Sequence, residues 1–378
     1  MKILRNLEVP TGNILVVEGE KGKLEMLSLG DYGKDVNIKC DALGLTRELD
    51  PVKHTKLLSL TEKWVITIST QYGCSMGCNF CDVPLVGPGK NATITDLCRQ
   101  ILRGLELHPE VFHTDRLNIH FARMGEPTWN PNVLECAKWA FHKLNSQYHV
   151  HPVVSTMMPK GNEWLPAFLG AWMNIKNDLY NGNAGLQLSI NSTNEEERRK
   201  MFNGNALSLE AIAKIMHSID RPKGRKITLN FAVAGYEVDP VILWKYFDPA
   251  HYIVKLTPMH KTHTALKNDV KTEGNYTEYH PYQKMEEDLK GRGYDVLVFI
   301  ASEEEDLGRI TCGNAILSGS KPEVPFKEIT PNTSRDIKEV EDSHIQVLRW
   351  PVPPGPEKKG GPFGDNLDDE RWRHMRIN

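Results

Sequence analysis

The absences in this sequence narrow the field first. No run of about twenty consecutive apolar residues occurs in the 378-residue chain, which leaves no candidate for a membrane-spanning helix. The opening stretch, "MKILRNLEVPTGN", has neither a long apolar core nor a small-residue cleavage site, so no secretory signal is expected. Positive charge is not in excess. A formal net charge of −3 gives no bulk field toward nucleic acid, although it does not exclude a local basic groove. No disulfide framework is visible either. The seven cysteines (Cys40, Cys74, Cys78, Cys81, Cys98, Cys136 and Cys312) are odd in number and three are clustered, which fits a reducing, cytoplasmic compartment. No internal repeat is visible. What remains is an ordinary globular composition, 40% hydrophobic and 25% charged. The length suits one α/β barrel of roughly 250 residues plus extensions.

Short β-rich runs recur along the chain. "VITIST" (65–70), "LNIHFA" (117–122), "PVVST" (152–156), "LQLSIN" (186–191), "ITLNFAV" (227–233) and "YIVKLTP" (252–258) read as six strands. A seventh apolar run, "YDVLVFIAS", covers 294–302. Between them lie helical patterns at 93–107, 132–145, 207–219, 239–247 and near 282–291, with Thr95 as the start signal of the first. Strands alternating with helices predict βαβ units on a parallel sheet. The first sixty residues differ: short alternating runs with glycine turns predict a small antiparallel β element, spanning 1–60, that caps the barrel. The barrel is expected over 61–320 and an irregular C-terminal extension over 321–378, where "WPVPPGPEKKGGPFGDNLDDERWRHMRIN" is rich in proline, glycine and charge.

"CSMGCNFC" occupies 74–81 and raises the chemical question. Structural zinc asks for four ligands, commonly two pairs, and here Cys78 and Cys81 form one pair with Cys74 added from the same turn. No second pair follows. Three thiolates suit an iron–sulfur cubane in which one iron keeps no protein ligand. Gly73 and Gly77 relax the backbone so that the three side chains can converge. The turn follows the first barrel strand, at the C-terminal mouth where α/β barrels place their chemistry. Polar residues recur at the other strand ends: Gly125, Glu126 and Pro127 after strand two, Ser155 and Thr156 at strand three, Ser189 and Asn191 at strand four with Arg198 beyond, and His260 after strand six. Each alone reads as a strand-end cap, whereas a ring of them could orient a cofactor.

The spacing C-x-x-x-C-x-aromatic-C, with Phe80 ahead of the last cysteine, resembles the signature of the radical S-adenosylmethionine (SAM) superfamily. The likeness sharpens over about 65–320, through "TQYGCSMGCNFC", "RMGEPTWN", "VVSTMMP", "LQLSINSTNEEERRKMF", "LTPMH" and "GRITCGNAILSG", toward the RlmN/Cfr-type adenosine methyltransferases. That resemblance implies a partial TIM-like (β/α)6 barrel and a 4Fe-4S cluster on Cys74, Cys78 and Cys81. It implies that Gly125, Glu126, Pro127, Ser155, Ser189, Asn191 and His260 line the SAM site. It also implies an RNA substrate, ribosomal or transfer, and an electron donor such as a flavodoxin or ferredoxin. In such enzymes a cysteine first accepts a methyl group from one SAM, and a 5′-deoxyadenosyl radical from a second SAM activates that methyl for addition to adenine. Cys312, in "TCGN", would be that carrier, with Arg309 placed to lower its thiol pKa.

Three departures accompany the likeness. The family's resolving cysteine, seven positions before the first cluster cysteine, corresponds to Thr67, which cannot form a disulfide. Cys98 and Cys136 read as packing, and Cys40 is the remaining candidate to replace it. A family histidine corresponds to Asn191 and a family asparagine to His260, both exchanges that keep hydrogen-bonding capacity. The family's helical RNA-gripping module has no counterpart in the first sixty residues. "RPKGRK" (221–226) and "RWRHMR" (371–376) read as solvated charged surface, with RNA contact, through Trp372 stacking for example, as the other reading. Two alternatives stay open: a radical SAM enzyme acting on a small molecule or peptide, and a non-catalytic RNA-binding protein stabilised by zinc or an iron–sulfur cluster.

Overall fold

A computed structural model describes residues 1–31, 57–272 and 279–329. Three N-terminal strands, β1 (Ile3–Val9), β2 (Gly12–Gly19) and β3 (Gly22–Leu29), form an antiparallel meander. They are followed by β4 (Trp64–Ile68) and a small separate hairpin of β5 (Gln71–Gly73) and β6 (Pro88–Asn91). The later strands are β7 (Leu117–Phe121), β8 (Val150–Thr156), β9 (Gly185–Ser189), β10 (Ile227–Val233), β11 (Tyr252–Pro258), β12 (Asp295–Val298) and β13 (Lys327–Ile329). All except the hairpin join one sheet, in the order β12-β11-β10-β9-β8-β7-β4-β3-β2-β1-β13. The stretch from β4 to β12 is parallel throughout, so the run at 294–302 adds a seventh parallel strand to the six expected.

The N-terminal strands do not cap the barrel. They extend its sheet, because β3 pairs antiparallel with β4 in the register Leu27↔Thr67, Ser28↔Ile66, Leu29↔Val65. An open barrel has a free edge at its first strand, and this pairing satisfies that edge's backbone groups. From the expected irregular extension, residues 327–329 return to pair with β1, at Asn6↔Ile329 and Glu8↔Lys327. Residues 330–378, including "RWRHMR" and Trp372, lie outside the described residues, as does Cys40.

The described helices are α1 (Ile94–Glu106), α2 (Asn132–Tyr148), α3 (Leu165–Asn174), α4 (Glu195–Met201), α5 (Leu209–His217), α6 (Pro240–Tyr246), α7 (His263–Lys267), α8 (His280–Gly291) and α9 (Glu303–Leu307), with Glu305 of α9 reaching the mouth of the barrel. The first helix starts at Thr93, not Thr95. Thr93 keeps extended backbone angles, its hydroxyl accepts from the Asp96 amide at 3.1 Å, and the Asp96 carboxylate accepts from the Thr93 amide at 3.1 Å. That reciprocal pair satisfies two otherwise orphaned donors, and Thr95 falls inside the first turn.

Each parallel strand alternates. In β10, Ile227, Leu229, Phe231 and Val233 are buried toward the helices, whereas Thr228, Asn230 and Ala232 face the barrel interior. The outer faces make the core; Trp172, fully buried, sets its ring edge-on to Phe121 with centroids 6.2 Å apart and donates its indole N–H to Gly185 O at 3.1 Å. Burying such a ring contributes on the order of 2–3 kcal/mol. The inner faces leave a continuous cavity of about 530 Å³ running from the strand C-termini toward their N-termini.

Candidate active site

The cysteine turn is held inside the β5–β6 hairpin, not directly on β4. Gly73 makes this possible: its φ is +82°, and a Cβ there would sit 2.2 Å from Gly87 O. Only glycine tolerates both. Beyond it, the Cys74 amide donates to Gly87 O at 3.1 Å, and the Cys81 amide donates to Cys78 O at 3.3 Å. Asn79 ties the turn to α4, its amide donating to Met201 O (2.9 Å) and its side chain to Lys200 O (2.7 Å). Gln71 joins this turn to the next one. Its Oε1 accepts from the Ser75 hydroxyl (3.1 Å) and from the Glu126 amide (3.1 Å), while its Nε2 donates to Asn91 (2.8 Å).

Cys74, Cys78 and Cys81 all line the cavity, each partly exposed, against an apolar wall of Met76, Phe80, Met157 and Phe202. The Cys78 thiol lies 3.6 Å from the Met157 sulfur. Burial pushes the Cys74 thiol up to about 11 and raises Cys78 and Cys81 as well. For the last two, the neighbouring cysteines add to the effect. Three thiols in such a place give up their protons only to a strongly bound cation. Among the described residues, no three His, Cys, Asp or Glu side chains gather around one point as ligands of a single ion. A tetrahedral zinc site needs that convergence. A four-iron cluster takes one thiolate on each of three irons and needs no fourth protein ligand, and the three cavity-lining thiols of this turn match that donor set.

Glu126 faces the same cavity and is buried. Its carboxylate accepts from the Thr128 hydroxyl (2.8 Å), the Thr128 amide (3.2 Å) and the Met157 amide (3.1 Å). Burial nevertheless holds it above the usual carboxylate range, against these bonds and one from Thr156. Ser155, Ser189, Asn191 and His260 also line the cavity, as does Gly125; Pro127 does not, being buried in the 3-10 turn Pro127–Trp129. Asn191 has φ +63°, and its Oδ1 accepts from the Ala232 amide at 3.2 Å. The His260 Nδ1 lies 3.1 Å from Asp306. Arg198 turns inward to carbonyls of Ile190 and Leu207 and braces α4 without reaching the cavity.

Cys312 is exposed and shares the cavity with the three turn cysteines. Its loop is tied down on both sides. The Asp82 amide donates to Gly313 O at 2.8 Å, and the Thr262 hydroxyl donates to Phe80 O at 2.8 Å. From the other side, Glu25 on β3 accepts from the Ile316 amide (3.2 Å) and the Leu317 amide (3.0 Å). Glu25 is also ion-paired to Arg123, which in turn donates to Arg309 O at 2.8 Å; both side chains are buried. Sequence reasoning missed this clamp; a lone Glu within an apolar strand was its only signal. Arg309 does not attend Cys312. Its guanidinium binds Glu323 and the carbonyls of Lys261 and Lys321.

Thr67 stands on the cavity wall, where a hydroxyl replaces the expected thiol. Cys98 and Cys136 are fully buried, their sulfurs 4.0 Å apart, and do not line the cavity. One reading fails in "RPKGRK": Arg221 and Lys223 are exposed, but Arg225 turns into the barrel.

Over 264 residues the chain is 24% identical to "Dual-specificity RNA methyltransferase RlmN" of Sorangium cellulosum, covering 68% of this chain and 62% of the relative. Over 140 residues it is 30% identical to "Probable dual-specificity RNA methyltransferase RlmN" of Thermus thermophilus, covering 36% of each. The curated relatives it resembles are thus RlmN RNA methyltransferases, the family whose motifs its sequence resembles. The chain spans less than two thirds of the length of these RlmN relatives. No family model matches it. A solved radical SAM methyltransferase from Sphaerobacter thermophilus shares the fold, with a TM-score of 0.53 at 16% identity over 80% of this chain and 76% of that one. The residues at which the sequence departs from the family pattern, Thr67, Asn191 and His260, all fall on the cavity wall. Among the described residues no helix is long and apolar enough to cross a membrane.

Proposed function

We propose that this chain is a radical SAM methyltransferase acting on an adenine in RNA, with Cys74, Cys78 and Cys81 holding a 4Fe-4S cluster and Cys312 carrying the methyl group. The observation that carries the reading is the shared cavity: an exposed thiol on a clamped loop opens onto the same space as the three clustered thiols. Cys74, Cys78 and Cys81 would hold the cluster, which would supply one-electron reduction of the SAM sulfonium once reduced by a donor such as a flavodoxin or ferredoxin. The protein's own part is positional. Glu126 and the hydroxyl and amide groups of Ser155, Ser189 and Asn191 offer polar partners for the cofactor's ammonium and ribose, and Gln71 keeps the cysteine turn and the Glu126 turn in fixed relation. Cys312 meets solvent as well as the cavity, so its thiolate can take a methyl group and then face substrate. The Asp82–Gly313 bond and the Glu25 clamp hold it there.

Anaerobic reconstitution should give about four irons per chain and reductive SAM cleavage. Peptide mass spectrometry should find a methyl group on Cys312, and Cys312→Ala should abolish methyladenosine formation in added RNA while keeping iron. Iron-free protein, or RNA methylation that survives Cys312→Ala, would overturn the reading. Apart from the three turn cysteines, no described residue of the cavity wall offers a thiol to pair with Cys312.

A further inference from the structure

The lower part of the barrel holds charge that the chemistry above does not use. Lys63 stands one residue ahead of β4, Arg116 one ahead of β7, and Arg225 two ahead of β10; all three line the cavity. Lys255, in the middle of β11 and paired in register with Asn230, faces the same space. Among the described lining residues the only carboxylate at this end is Asp31, which is ion-paired to Lys63. The carboxylates of Glu126 and Glu305 belong to the mouth, beside the turn cysteines and the Cys312 loop.

The two guanidiniums are the telling members. Arg116 donates to Asn118 Oδ1 at 2.9 Å and Arg225 to Asn183 O at 3.3 Å; neither meets a carboxylate among the described residues. Burial lowers both, Arg225 to about 10; the charge of Arg116 lowers Arg225 further, whereas the nearby Asp31 carboxylate works the other way on Arg116. The fold nevertheless makes room for this. A Cβ on Gly185 would lie 3.2 Å from Arg225 Nη1, so glycine in β9 lets the guanidinium lie across the strand. His120, among these cations, is held neutral by burial, its pKa lowered to about 3, and keeps a donor or acceptor nitrogen for a ligand. Cations gathered in a partly desolvated cavity cost stability unless an anion joins them.

We propose that the floor of the barrel lumen is an anion site, where Arg116, Arg225 and Lys255 take the phosphate or carboxylate of a small molecule lying in the cavity. Guanidiniums present forked donors that match either group. Arg116 and Arg225 stand just ahead of the strand starts, and Lys255 is level with Ser189 through Asn230, so the ligand would lie along the lumen from the strand starts upward. Its other end would point toward Cys312 and the cysteine turn, and that orientation alone rests on the function proposed above.

Inorganic phosphate, adenosine 5′-monophosphate and succinate, each titrated into the full-length protein at ionic strength fixed with sodium chloride, test the site. At least one is expected to bind saturably and raise the melting temperature beyond the chloride control. Success with phosphate or the nucleotide assigns a phosphate ligand; success with succinate alone assigns a carboxylate. Arg116→Gln and Arg225→Gln should each weaken the bound probe about tenfold or more. Gly185→Ala, which keeps every charge but crowds the Arg225 guanidinium, should weaken it as well. No saturable binding by any probe, or binding unchanged in Arg225→Gln and Gly185→Ala, overturns the proposal. Iron content measured on the same samples separates the two ideas: iron-loaded protein without anion binding sinks this one, and iron-free protein that binds phosphate sinks the other.

Discussion

At the scale of single residues, the mouth depends on groups that no neighbour can replace. Gly125 has φ +91°, and a Cβ there would meet the Gln71 side chain at 2.5 Å. Gly125→Ala must therefore strain its own backbone and push away the amide that links the two turns. A loss of about 2–3 kcal/mol in stability is expected. Reconstituted iron should fall with it, measured by chemical denaturation and iron content. The sequence showed Gly125 as a flexible entry to Glu126, but it could not show the close approach, which depends on Gln71 arriving from a different strand. The reading of Arg309 failed for the same kind of reason. Three residues of separation put it near Cys312 in the chain, whereas Glu323 and two carbonyls hold its guanidinium elsewhere.

At the scale of elements, strands were the most legible part, and β10 and β11 coincide with the runs at 227–233 and 252–258. Regular alternation of apolar and polar residues marks them because one face meets helices and the other meets the cavity. Helix α3 was not legible, since "LPAFLGAWMN" is apolar nearly all round and shows little 3.6-residue contrast. The start of α1 was displaced by two residues because two threonines offered the same signal, and the Asp96 partner decides between them. Thr93→Ala is expected to cost about 1 kcal/mol, with Thr95→Ala far less, in urea melts of the two variants. The β3 clamp makes a larger claim. Glu25→Ala leaves Arg123 buried and unpaired, and removing one partner of a buried pair costs roughly 3–5 kcal/mol. Hydrogen exchange should then quicken at the Ile316 and Leu317 amides, which donate to that carboxylate.

At the scale of the whole molecule, the charged interior should make stability depend on pH. His120 and His151 are both lowered by burial and by nearby cations, to about 3 and about 4 from an ordinary 6.5. Between these values the unfolded chain binds more protons than the folded one. The stability that neutral imidazoles allow is complete above about pH 6.5 and is lost as the pH falls toward 3–4. The melting temperature is expected to drop from pH 7 to pH 5, and His120→Asn should reduce that drop; an equal drop in the variant would count against this account. The class of fold and the cysteine turn could be read from the sequence alone. The cationic floor could not, because Lys63, Arg116 and Arg225 lie far apart in the chain and gather only when three strand starts come side by side.

The carboxylate of Glu25 also imposes a timetable. Its bond to Ile316 waits for a partner made 291 positions later. At about 5–20 residues per second, a nascent chain that has completed its cysteine turn needs on the order of 10–50 s more before that partner exists. Through that interval the Glu25 carboxylate waits for the Ile316 and Leu317 amides, and the clamp on the Cys312 loop closes only once both have left the ribosome.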